Sequence, residues 1–213
     1  SVGRYVQMSE AVGVPVSVDK NVVAAVGTGL VELGFRKRAG LIYTIDLADD
    51  VLGWLGLNVA TKYQAAGHAE VWPAIGVRHQ GVHRLVAQLR GKKFHPYVGP
   101  TVTEPVRYLM PEERRVFWEL GPTVGPEVGQ AVVAAIAEYG LPFMHAASNL
   151  SAMIGYIESG LGYPHQLRYI HPAAWLLAGD PKQAIQVLDA ELQKLAGADD
   201  PAADELRNFA QAF

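Results

Sequence analysis

The chain has 213 residues, 50% of them hydrophobic and 18% charged, with a net charge of −3 and no cysteine. The apolar content excludes disorder over most of the length, and the lack of cysteine excludes disulfides, thiolate metal sites and a thiol nucleophile. The charge gives no electrostatic drive toward a phosphate backbone, so a general nucleic-acid binder is not expected.

Apolar runs long enough to cross a bilayer, about eighteen residues, do not occur. The longest, 22–31 and 128–137, are broken by Gly, Thr or Gln and closed by Glu32 and Glu138. With no basic-then-apolar signal pattern at the start, the expectation is a cytoplasmic protein with no membrane contact.

In chain order, residues 1–15 carry Gly13 and Pro15 without a clean period and read as an arm. Asp19 is placed to cap a helix in which Val22, Val23, Val26, Leu30 and Leu33 recur near the helical period until Gly34 stops it. Residues 35–47 then alternate in the manner of a strand, with Tyr43, Ile45 and Leu47 against Thr44 and Asp46. Asp49-Asp50 marks a turn into 52–63, where Leu55, Leu57, Val59 and Thr61 share a face, so an antiparallel hairpin is expected. After a turn at 64–68 a third strand covers 69–77.

The helical period returns with Val82, Leu85, Val86 and Leu89, and Gly91 ends it. Residues 92–100 form a loop. Residues 101–109 and 114–120 are the fourth and fifth strands, and Pro105 makes an edge position or a bulge the place for the fourth. From Pro126 onward only helices are expected: 127–139, closed by Gly140-Leu141-Pro142; a short one to Ser159 capped by Ser148 or Asn149; and then 166–178, 181–195 and 201–213. Pro181 and Pro201 each follow an Asp at a first helical position. The fold class is therefore α+β, a mainly antiparallel sheet of about five strands flanked by helices. A domain over 1–160 carries a helical extension, 161–213, packed on it.

The stretch Ala174-Trp175-Leu176-Leu177-Ala178-Gly179-Asp180-Pro181, continuing through Ala184 to Leu188, resembles the junction of a tetratricopeptide-type hairpin: small residues permit close helices and Gly-Asp makes the turn. It occurs once, which implies a helical cap rather than a solenoid. The run from Leu33-Gly34-Phe35-Arg36-Lys37-Arg38 through Ile75-Gly76-Val77-Arg78 to Tyr139-Gly140-Leu141-Pro142-Phe143 resembles uncharacterised bacterial families known only as domains of unknown function. That resemblance covers residues 20–160 and implies an immunity-like role beside secreted toxins. No catalytic residues come with it.

Motif by motif, the plainer account competes with the chemical one. Gly27-Thr28-Gly29 with Gly34 looks like a dinucleotide fingerprint, but it lies inside a helical pattern ahead of the first strand, where helix packing explains it. His79 and His83 stand four apart as in a zinc pair, yet Gln80 replaces the Glu of the zincin motif, so solvated surface histidines are expected and no metal or cofactor. Ser148 and Ser151 begin a helix, which accounts for them as caps. Asp49-Asp50, Glu112-Glu113 and Asp199-Asp200 fall at turns, where adjacent carboxylates point apart. Arg36-Lys37-Arg38, Arg90-Gly91-Lys92-Lys93 and Arg114-Arg115 could converge on an acidic partner or sit apart in water. Trp72, Trp118, Tyr43 and Phe117 are expected in the core or on the sheet.

The densest aromatic and histidine segment holds Tyr163, His165, Tyr169, His171 and Trp175, residues that combine an apolar body with a polar handle. With Arg36 and Arg38 it forms the expected binding surface, although an interdomain seam would use the same residues. The leading expectation is a non-enzymatic protein-binding module, immunity- or antitoxin-like. The alternative is a small-molecule binder or enzyme whose pocket is built from His165, Tyr169 and His171 with His68, His79 and His83.

Overall fold

The computed structural model describes residues 20–60, 68–121, 125–198 and 200–213. The expected arm, the Asp19 cap, the strand end and turn at 61–67, and Asp199 lie outside these residues. The elements are α1 (Lys20–Glu32), β1 (Arg36–Lys37), β2 (Ile42–Ala48), β3 (Val51–Ala60), β4 (Ala69–His79), α2 (Gln80–Leu89), β5 (Val102–Pro105), α3 (Val106–Leu109), β6 (Trp118–Leu120), α4 (Glu127–Ala135), α5 (Leu141–Ala146), α6 (Leu150–Glu158), α7 (Pro164–Leu177), α8 (Pro181–Lys194) and α9 (Pro201–Ala212).

The fold is α+β with an all-helical end, and six strands form one antiparallel sheet among the described residues. The path runs β1-β2-β3-β4-β5, and β6 also pairs with β4. One edge of β4 is taken by β3, so β5 at residues 74–77 and β6 at 69–71 lie end to end along the other. The first strand expected, 35–47, is split at Ala39-Gly40 into β1 and β2. Pro105 does end an edge strand. The expected continuation to 109 is corrected to the helical turn α3, because Pro105 has no N–H with which to extend the ladder.

Strand periodicity separates two faces, and both are covered. Register pairs Gly53 with Val77 and Leu55 with Ile75 on one face, and Leu52 with Arg78 and Trp54 with Gly76 on the other. Helices cover the first face. An added Cβ at Gly53 would lie 2.6 Å from Ile45 Cγ2 and 2.7 Å from Met144 Sδ, which is how closely α5 approaches the strand. The loop 92–100 covers the second face: Trp54 Nε1 donates to the Tyr97 carbonyl at 3.0 Å, and Arg78, 1% exposed, donates to the carbonyls of Val98, Gly99 and His95 at 2.5, 2.5 and 2.6 Å.

The helical half follows its caps. Asn149 accepts from Ala152 N, Asp180 from Gln183 N and Asp200 from Ala202 and Ala203 N, all at 2.9 Å. Gly179 at φ +86° makes the turn between α7 and α8, and Ala184 is fully buried. Gly29 lies where an added Cβ would meet Val133 at 2.8 Å, so α1 and α4 pack through small residues. Gly140-Leu141-Pro142 does not close the helix begun at Glu127. It continues through a π turn, Ile136–Gly140, into α5, with Leu141 N donating to the Ile136 carbonyl. Widening the turn relieves the clash between the Pro142 ring and the carbonyl four residues back. Sheet and helices share one hydrophobic core, in which Ile75, Val77, Ile136, Met144, Ile170, Ala173 and Leu206 are 2% exposed or less.

Gly53→Val, which drives methyls into Ile45 and Met144, is expected to destabilise by about 1–3 kcal/mol. Asp180→Ala should cost about 1 kcal/mol through the lost cap. Urea midpoints at unchanged slope check both.

Candidate functional site

A cleft of about 450 Å³ opens between α2, α7, α9 and the loop 92–100. Helical spacing aims its lining. On α2, His83 and Val86 stand at i and i+3, with Arg90 at the C-cap at i+7; on α7, His165, Arg168 and Tyr169 at i, i+3 and i+4; on α9, Ala202 and Glu205 at i and i+3. Val98 closes the wall from the loop that Arg78 holds down.

The electrostatics are uneven. Arg90 Nη2 donates to Glu205 Oε1 at 2.8 Å, and the Lys92 ammonium reaches the same oxygen. Tyr169 Oη stands 3.5 Å from Glu205 Oε2, and the Arg90 guanidinium lies 4.1 Å from the Tyr169 ring centroid. Burial pushes Glu205 up, but the hydrogen bonds from Lys92 and Arg90 outweigh it and the net shift is downward. Arg168 has no carboxylate partner among the described residues. Two cations, Arg90 and Arg168, thus line the cleft with one carboxylate, which Lys92 also holds. The Nε atoms of Arg90 and Arg168 and Nε2 of His83 are out of solvent contact without a hydrogen-bond partner there.

The same surroundings hold the histidines neutral. His165 is lowered by burial, then by Arg168 and Arg90. His83 is lowered well below its ordinary value by burial, then by Arg78 and His79, so the expectation of a solvated surface histidine is corrected at that position. His79 is not a helix-face partner for it. It ends β4, and its Nδ1 accepts from Val82 N at 3.4 Å as the cap of α2. No cluster of three or more metal-ligating side chains occurs among the described residues.

The aromatic segment at 163–175 divides over two sides of α7. His165 and Tyr169 line the cleft, and Tyr163, at the start of the helix, stacks on His165 with centroids 6.0 Å apart. His171 and Trp175 face the other way, because two residues turn a helix by about 200°. Trp175 Nε1 donates to His171 Nε2 at 3.2 Å, and Glu158 Oε1 lies 3.6 Å from that nitrogen. Burial lowers His171 despite Glu158, so the ring is neutral at pH 7 and its Nε2 is the acceptor rather than half of an ion pair.

Elsewhere the expected residues stay apart. His68 precedes β4 and His79 ends it, a span of roughly 36 Å. Arg36 pairs with Asp46 at 3.1 Å, exposed on both sides. Arg38 donates to Thr44 at 2.8 Å and covers the Tyr97 ring at 4.2 Å. The basic clusters meet separate carboxylates, Asp46, Glu205 and Glu138. Phe117, expected in the core or on the sheet, is 65% exposed just ahead of β6; Trp118 beside it points inward, as alternation into β6 requires. The cleft residues that the aromatic segment did not signal are His83, Arg90, Arg168 and Glu205. Spacing within α2 and α7 could have grouped three of them, and nothing local could have brought Glu205 to Arg90.

Comparison of the chain with protein-family models, curated proteins and solved structures gives no match. Among the described residues no helix is long and apolar enough to cross a membrane.

His79, His83, His165 and His171 all titrate below the unfolded value of about 6.5. Below that pH the unfolded chain takes up protons that the folded one refuses, so the stability present above 6.5 is lost on acidification. The urea unfolding free energy should fall between pH 7 and 5. His83→Gln should flatten that dependence, and an unchanged slope would show that His83 is not among its sources.

Proposed function

We propose that the chain is a small-molecule-binding protein whose α2/α7/α9 cleft takes an anion with an apolar body. The observation that carries this reading is the charge balance of the lining, Arg90 and Arg168 against a Glu205 already held by Arg90 and Lys92, in a cleft of ligand size. Glu205 on Arg90 and Lys92 illustrates the chemistry the cleft accepts, a carboxylate held by charge-assisted hydrogen bonds. Arg168 is the cation left for an incoming acid. Val86, Val98, Ile170 and the Tyr169 ring supply apolar walls for the rest of the ligand.

Carboxylate and phosphate share this chemistry, and they separate by charge. Calorimetric titration with phenylacetate and phenyl phosphate, against uncharged phenylacetamide, tests the reading. Saturable binding of either anion is expected, weaker by about tenfold or more for the amide and for Arg168→Gln. A dianion preference would assign the phosphate. Equal binding of the amide, or no anion binding, would sink the proposal.

A further inference from the structure

A second set of unsatisfied donors lies away from the cleft, where α3 packs on β4. The Arg107 guanidinium sits 3.9 Å from the Trp72 ring centroid and 4.8 Å from each of the Tyr108 and Phe117 centroids. Its Nη2 donates to Tyr108 Oη at 3.0 Å. Its Nε and Nη1, and Nε1 of Trp72, are out of solvent contact and find no acceptor among the described residues. Glu70 Oε1 stands 3.8 Å from Nη1, near enough to offset the charge and too far for a hydrogen bond. Leaving three such donors unmade is costly, and an arriving acceptor would recover part of that cost.

What covers these donors is apolar and faces water. Phe117, Tyr108 and Val116 are 65%, 48% and 42% exposed. Residues 115–117, outside any helix or strand, lead into β6, whose outer edge has no strand partner among the described residues. Arg115 flanks them, 5.5 Å from the Tyr108 ring. The adjoining dip between β4, β5 and β6 leaves about 10 Å³, too little for a free small molecule. A charged group at the tip of a side chain, delivered from outside, can reach Arg107 once the exposed Phe117 ring changes rotamer.

We infer that this surface docks an extended acidic segment of a partner protein, one carboxylate taking the open Arg107 Nε–H and Trp72 Nε1–H while its apolar neighbours cover Phe117, Tyr108 and Val116. Guanidinium and indole N–H complement a carboxylate in charge and in hydrogen bonding. The apolar trio supplies the desolvated rim that makes such a contact specific.

The test uses a fluorescein-labelled, end-capped octapeptide alternating glutamate and valine, its glutamine counterpart, and the full chain. Saturable anisotropy change is expected for the acidic peptide, with the Arg107 Nε–H and Trp72 Nε1–H resonances moving together. The glutamine peptide, Phe117→Ser and Val116→Ser should each weaken binding about tenfold or more; both positions are exposed, and circular dichroism verifies that the variants fold. Absence of saturable binding, equal binding of the glutamine peptide, or binding that leaves both resonances in place would overturn the inference. A dimer in sedimentation that Phe117→Ser dissolves would also overturn it, by assigning the face to a second copy.

Discussion

A buried charge organises the half of this molecule that holds the cleft. Arg78 is fully enclosed on the sheet face opposite α5, and no carboxylate accompanies it among the described residues: the carbonyls of His95, Val98 and Gly99 and the side chain of Gln80 accept its hydrogen bonds. Burial, then Arg84, brings its pKa down to about 10, which still leaves it charged at neutral pH. An ion desolvated to this degree is tolerated where surrounding dipoles replace water. Here one loop provides most of them, so the charge and the loop fix each other. Gly76 permits the approach of the loop's end, since an added Cβ would stand 2.8 Å from Pro100 Cβ. Val98, thus fixed, becomes a wall of the cleft, and the Arg78 charge helps keep His83 neutral behind it.

Two surfaces result, built on different imbalances. In the cleft an excess of cations stands in a concavity large enough for a ligand. At Arg107 the charge is offset by Glu70, and what is left over is hydrogen-bonding capacity under exposed aromatic rings. The two proposed occupants differ accordingly, a free anion for the first and a presented side chain for the second, because the first concavity has room for a whole molecule and the second does not.

Much of the fold was legible because local rules agreed with tertiary demands. Alternation placed Leu55 and Leu57 on the buried face, Asp-Pro pairs marked the starts of α8 and α9, and Pro105 marked an edge. The misreadings occurred where a local rule had two solutions. Gly140-Leu141-Pro142 can end a helix or widen it, and packing of α5 on β3 and β4 selects the second. Phe117 has strand propensity, but alternation about the buried Trp118 turns it outward.

The candidate site was legible in part for a related reason. Residues 163–175 read as one aromatic cluster in sequence, yet helical geometry divides His165 and Tyr169 from His171 and Trp175. Glu205 meets Arg90 across 115 residues of chain, a pairing that composition and period cannot express.

The π turn at Ile136–Gly140 has a further consequence, in rotational phase. It is one residue more than an α-helix needs, and every side chain after it is rotated by that surplus relative to α4. Phe143, Met144 and Ala147 face the core only with this offset. Deleting one residue from the turn would regularise the hydrogen bonds and swing α5 by about 100°, carrying Met144 away from Gly53. The irregular turn is thus the gear that lets one continuous helical rod serve two differently oriented surfaces, α1 before it and the sheet after it.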